Sequence, residues 1–310
     1  MAANKLTVVG AGNVGATAAH IAACEHLGDI VLIDIIEGLA EGKALDIAEA
    51  GPIQLYDVSV VGTRDWRDTA NSDIVIVTSG LARRPGMSRD DLLAKNVRIV
   101  GDVAENIVRH SPNSIVIVVC NPLDAMVYAA ARMTGFEKNR IVGMAGALDA
   151  ARFSCFIALE LGVSVEDIKC VLMGGHGDDM VPLPRFTCVS GIPLTELLEP
   201  DTIADLIDRT RKGGIEIVNL LGYSAYYAPA AGAVRMARAI LNDSKTLLSC
   251  CAYCDSQYNA GGCFVGVPVV LGRNGVERII ELDLDDSERA QFEESLAHVR
   301  LLAEKVDALL

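Results

Sequence analysis

Five short runs of aliphatic, mostly β-branched residues punctuate the first half of the chain: Leu6 to Val9, Ile30 to Ile33, Val58 to Val61, Ile74 to Val77 and Ile115 to Val119. Each is nearly continuous in apolar character instead of alternating, which predicts strands buried on both faces, and stretches of helical periodicity separate them. The economical arrangement is α/β, a doubly wound parallel sheet with helices on either side. After about Gly146 the pattern lengthens. Helices are predicted around Ala147 to Leu161, Asp201 to Leu221 and Ala230 to Leu241, strands at Ile168 to Met173, Thr246 to Tyr253 and Val265 to Val270, and a closing helix over Asp285 to Leu309. This order predicts a second, α+β domain. The expected division is residues 1–145 and 146–310, with no linker or internal repeat and therefore a firm interface.

A length of 310 residues, 51% of them hydrophobic, is near the upper limit for one continuous core and agrees with two fused domains. No uncharged apolar stretch reaches 18 residues, and Met1 to Lys5 runs straight into a strand without a basic leader, so a soluble, unexported, cytoplasmic protein is expected. The formal charge of −14, with no lysine or arginine run to offset it, argues against nucleic acid and membrane partners. An anionic ligand must then be held by a few focused arginines. Nine cysteines, an odd number scattered through apolar segments, fit a reducing compartment. Cys250, Cys251, Cys254 and Cys263 form a cluster with one C-x-x-C spacing, but they fall in what reads as a buried strand; no metal is expected there.

Gly10, Gly12 and Gly15 make G-x-G-x-x-G between the first strand and a helical stretch. Alone that pattern is weak, since glycines also mark ordinary turns. Here the second strand ends in Asp34, about 20 residues beyond the last glycine, where a carboxylate meets an adenosine ribose. The glycines permit a tight turn, and the free N–H groups of the helix start, over Ala11, Gly12, Asn13, Val14 and Gly15, face a pyrophosphate. Asp34 repels a 2′-phosphate, so NAD is preferred to NADP. Asn121-Pro122 follows the fifth strand, at the edge where such sheets bind ligands; Asn121 reads equally well as a turn former.

Arg83-Arg84-Pro85-Gly86-Met87-Ser88-Arg89 lies just past the fourth strand and reads either as a solvated basic loop or as a lid carrying cations over an anionic substrate. Asp149 and Arg152, three apart in an otherwise apolar helical pattern, share one face, and burial there demands specific partners. His176, flanked by Gly175 and Gly177, is an imidazole stripped of neighbouring bulk, as a proton-transfer group requires, although a turn histidine fits as well.

Together Val9 to Gly15, Leu81 to Leu92, Asn121-Pro122, Leu148 to Phe153, Gly174 to Leu183 and Gly222 to Ala230 resemble the lactate/malate dehydrogenase family over nearly the whole chain. The Arg-Arg-Pro-Gly-Met-Ser-Arg loop and Gly-His-Gly-Asp-Asp-Met-Val-Pro look like its malate dehydrogenases built on the lactate dehydrogenase plan. The resemblance implies a Rossmann NAD-binding domain followed by a substrate domain, in an oxidoreductase of the tricarboxylic acid cycle that interconverts (S)-malate and oxaloacetate. It implies that His176 accepts the proton, supported by Asp149. Arg152 and Arg83 clamp the two carboxylates, Arg89 polarises the C2 oxygen, Asn121 bridges cofactor and substrate, and Ser224 lines the pocket floor. It adds Asn96 and Val119 to the cofactor contacts and implies a homodimer or homotetramer. Arg83 carries the specificity, because an unpaired desolvated arginine above a methyl group is costly. Asp179 departs from the family pattern and would perturb His176 if turned inward. The rival readings are a lactate or other 2-hydroxy acid dehydrogenase and a non-catalytic NAD-binding scaffold.

Overall fold

The computed structural model describes residues 4–81 and 88–310. In chain order it contains β1 (Lys5–Val9), α1 (Asn13–Cys24), β2 (Asp29–Ile33), α2 (Leu39–Gln54), β3 (Val60–Thr63), β4 (Ile74–Val77), α3 (Arg89–His110), β5 (Ile115–Val118), α4 (Leu123–Thr134), β6 (Ile141–Gly143) and α5 (Gly146–Leu161). There follow β7 (Ile168–Lys169), β8 (Leu172–Gly174), β9 (Met180–Pro182), β10 (Cys188–Val189), β11 (Ile192–Pro193), α6 (Pro200–Leu221), α7 (Tyr227–Leu241), β12 (Thr246–Cys254), β13 (Cys263–Gly272), β14 (Gly275–Ile279) and α8 (Asp286–Asp307).

The apolar runs of the first half pair in parallel in the order β3-β2-β1-β4-β5-β6, and the order reverses between β1 and β4. Ligands of open α/β sheets sit in the crevice at such a reversal. Alternate residues of each strand feed opposite cores: Leu6, Val8, Ile74 and Ile76 pack on one face, Val9, Val75 and Val77 on the other. The two-faced burial expected from the sequence is therefore met, in a Rossmann domain.

The sheet does not stop there. β12 joins β6 antiparallel at Cys251↔Gly143, and β12 pairs β13 from Thr246↔Leu271 to Cys254↔Cys263; β8 and β9 complete an 11-stranded sheet, with β14 on β13. Two expectations are corrected. The segment Ile168 to Met173 is not one strand: β7 belongs to a small sheet with β10 and β11, while β8 crosses into the large one. The third strand begins at Val60, two residues late, and runs through Gly62, whose missing side chain lets the Ala40 backbone of α2 close over it. No helix among the described residues is long and apolar enough to cross a membrane.

Candidate active site

The glycine turn leaves β1 at the reversal point. Gly10 has φ +102°, a conformation that suits glycine, and a side chain there would strike the backbone of Ser79. A Cβ on Gly15 would overlap the Gly10 carbonyl oxygen, so α1 can start this close to β1 only with glycine. Gly12, by contrast, faces open space and is the N-cap of α1 with no side chain capping the helix. The uncapped amides at the end of a helix dipole are a cradle for a phosphate anion. Thr78 at the end of β4 braces the turn, donating to the Val9 and Gly10 carbonyls at 3.0 Å. Asp34 accepts the Ala11 N–H at 2.6 Å and the Ile36 N–H at 2.9 Å, while Lys43 donates to the Ala11 carbonyl at 2.8 Å. These residues fit a dinucleotide: an anion cradle beside a carboxylate at the next strand's end.

Across the crevice, α5 presents Asp149 and Arg152 one turn apart. Asp149 is 2% exposed; its Oδ1 accepts from Arg152 Nη1 at 3.3 Å and its Oδ2 meets His176 Nδ1 at 2.9 Å. A carboxylate can only accept, so Nδ1 carries the hydrogen and Nε2 is left free to exchange a proton. Burial lowers the proton affinity of His176, but the charge and hydrogen bond of Asp149, helped by Asp124 and opposed by Arg152, outweigh it, and the pKa is raised above the ordinary histidine value. Arg152 also donates to the Thr210 carbonyl at 3.5 Å, and its aliphatic stem lies on Gly213 of α6, where a Cβ would sit 2.7 Å from Nε.

A cleft of about 570 Å³ joins the two halves of the site. Gly12, Asn13, Val14 and Gly15 line it with Val119, Asn121, Arg152, His176 and Ser224, as do Thr78, Leu148, Val218 and Tyr223. Asn96 takes a different position. It is fully buried, and its amide is spent on the Leu81 N–H and carbonyl and on the Asn121 carbonyl, so it braces the two ligand-side loops from behind. Arg83 lies outside the described residues. Arg89 is not brought to the cluster: it opens α3, exposed, with its guanidinium 3.8 Å from Asp178. Asp179 turns away from His176 and pairs with His298 Nδ1 of α8 at 2.8 Å.

The cysteine cluster divides between the faces of the sheet, Cys251 in one core and Cys250, Cys254 and Cys263 in the other. Burial pushes the Cys250 and Cys254 thiols up to about 12 and Cys263 to about 11, so all remain protonated near neutrality. Among residues absent from the sequence-based assignments, Thr78, Asp124 and Gly213 stand out. Only Asp124 had a signal, an acid just inside a helix start after Asn-Pro, and it reads there as a partner for the helix dipole.

Residues 4–143 match the family model of the lactate/malate dehydrogenase NAD binding domain, and residues 146–309 that of the lactate/malate dehydrogenase alpha/beta C-terminal domain. The chain belongs to the lactate/malate dehydrogenase family. It is 56% identical over 309 residues to a malate dehydrogenase of Rhodopirellula baltica, covering 99% of this chain and 98% of that one. Among solved structures, the apo malate dehydrogenase of Picrophilus torridus is similar with a TM-score of 0.97 at 44% identity, over 99% of this chain and 98% of that one. The lactate dehydrogenase of Cryptosporidium parvum complexed with lactic acid and nicotinamide adenine dinucleotide is similar with a TM-score of 0.96 at 39% identity, over 99% of both chains.

Proposed function

We propose that this chain is an NAD-dependent oxidoreductase that interconverts (S)-malate and oxaloacetate. The observation that carries the reading is the Asp149-backed imidazole of His176 beside Arg152, open to the same cleft as the glycine turn. The uncapped amides of α1 would hold the pyrophosphate and Asp34 the adenosine ribose. NAD, when bound, serves as the two-electron acceptor for C2. Arg152 grips the C1 carboxylate through two parallel hydrogen bonds, a geometry lysine cannot reproduce. His176 Nε2 takes the C2 hydroxyl proton, and Asp149 steadies the resulting cation and keeps the ring in the required tautomer. Arg89 would turn inward from Asp178 to polarise the C2 oxygen, Arg83 would hold the second carboxylate, and Asn121 and Ser224 would complete the pocket.

The boundary between cofactor and substrate domains is taken at residues 145 and 146, in line with the two family models. Exposed Leu45, Ile53, Leu220 and Tyr227 support assembly into a homodimer or homotetramer. Nine free thiols support a cytoplasmic location, and the reaction supports a place in the tricarboxylic acid cycle. Lactate oxidation is the second reading, favoured by similarity to the Cryptosporidium parvum lactate dehydrogenase.

Steady-state oxidation of NADH with oxaloacetate and pyruvate side by side, repeated with NADPH, tests the reading. Oxaloacetate with NADH is expected to dominate by orders of magnitude; equal or greater efficiency with pyruvate would overturn the substrate assignment, and preference for NADPH the cofactor assignment.

A further inference from the structure

Two successive amides of the turn that carries His176 are pinned by side chains from different helices. Gly175 N–H donates to Ser295 Oγ of α8 at 2.8 Å, and Ser295 in turn donates to the Asp179 carbonyl at 2.7 Å. His176 N–H donates to Asp124 Oδ2 of α4 at 2.9 Å. Asp124 is 6% exposed, and its Oδ1 is buried with no hydrogen-bond partner among the described residues. The Cys251 thiol of β12 faces this carboxyl and is at most a weak donor. Gly175 suits the crowding of this turn, since a Cβ there would stand 3.1 Å from Val299 Cγ2 and 3.2 Å from Asp179 Cβ, with Asp124 Oδ2 in ordinary contact at 3.4 Å.

A buried carboxyl with one orphan oxygen is destabilising, and a neutral acceptor would hold the same N–H at lower cost. What asparagine would lack is the charge. We propose that Asp124 is a positioning residue for His176, which fixes the catalytic turn through its main-chain N–H and adds a second carboxylate in favour of the protonated imidazole. The inference rests on the reading of His176 as the proton-transfer group. The charged and titratable groups around the ring are Asp149 and Arg152 from α5 and Asp124 from α4; around Asp124 they are His176 itself with Cys251 and Cys263 from β12 and β13. Burial raises the Asp124 carboxyl above the usual carboxylate range, opposed by the His176 N–H it accepts and by the charge of the ring, and in its ionised form it lies on the favourable side of that balance for the cationic imidazole.

The test is the pH profile of kcat/KM for oxaloacetate reduction, in which the protonated base is the active form. In Asp124→Asn the high-pH limb should move down by about 0.5–1 pH unit. Activity on the high-pH side of the wild-type limb then falls about three- to tenfold and recovers on its low-pH side, with NADH affinity unchanged. In Asp124→Ala, which also frees the N–H, kcat falls further and low pH does not restore it. A wild-type limb in a folded Asp124→Asn protein would overturn the proposal. Should Asp124→Asn fail to fold, Asp124→Ala assayed with and without formate decides: return of the limb toward wild type as the small carboxylate enters supports it, and no response overturns it. His176→Asn separates the two layers, because full turnover there removes the reading of His176, whereas a dead His176→Asn beside an unchanged Asp124→Asn removes only the role of Asp124.

Discussion

Gly213→Ala probes the placement of Arg152 without replacing any side chain that would contact substrate. Gly213 is buried in the middle of α6, and the added methyl would stand 2.7 Å from Arg152 Nε and closer still to Cδ. Ordinary contacts between such atoms lie at about 3.5–4.0 Å, so the guanidinium must give way by about 1 Å. A misplacement of that size costs on the order of 10²-fold in an oriented reaction, about 2.7 kcal/mol of transition-state stabilisation. The same exchange in a helix interior ordinarily gains about 1 kcal/mol of propensity, so any drop in Tm should be small. Steady-state kinetics with oxaloacetate, NADH titration by fluorescence quenching and thermal melting would be measured together. The expected pattern is kcat/KM reduced roughly 10- to 100-fold, KM raised, and NADH affinity retained. A variant with kcat/KM within about twofold of wild type would show that α6 tolerates the methyl and that Arg152 is not held by this surface.

Three further outcomes follow from the site. His176→Asn should keep NADH binding and lose more than about 10³-fold in turnover; a silent binding protein would have no turnover to lose. Because the pKa of His176 is raised, oxaloacetate reduction should hold steady below its folded value and decline only as pH rises through it, above the ordinary range near 6.5. By the same sign, the stability the charged ring contributes is complete below its unfolded pKa and is lost as pH climbs past the folded one; Asp149→Asn should bring the kinetic limb down, and an unmoved limb would contradict the pairing. Arg83→Gln should lower oxaloacetate efficiency by about 10²-fold or more while pyruvate turnover holds or improves; equal losses on both substrates would reject its part in specificity.

Much of this architecture is visible in the residues themselves, for identifiable reasons. Runs such as Ile74 to Val77 are apolar at every position because both faces of the sheet are covered, and G-x-G-x-x-G followed by Asp34 encodes a local turn and the neighbouring strand's end. The less legible parts depend on distant neighbours. β6 is three residues long, too short for periodicity, yet it joins the two kinds of sheet. Cys170 and Val171 look like strand interior but form the crossing between sheets. Asn96, assigned to the cofactor contacts through the family resemblance alone, is a strut between loops that are 40 positions apart in sequence, at Leu81 and Asn121. Gly213 has no local meaning at all in a helix; its function is set by the arginine lying across it.

Helix α8 is the final element of the chain, and it reaches back to the heart of the chemistry. Ser295 and His298 anchor the loop around the imidazole, while Lys305 and Asp307 tie the helix to Asp90 and to Tyr128 and Arg132 of earlier elements. During synthesis on the ribosome, the glycine turn and the imidazole loop both emerge before this clasp does. The loop around the imidazole is therefore anchored only once α8 has been made, well after the loop itself.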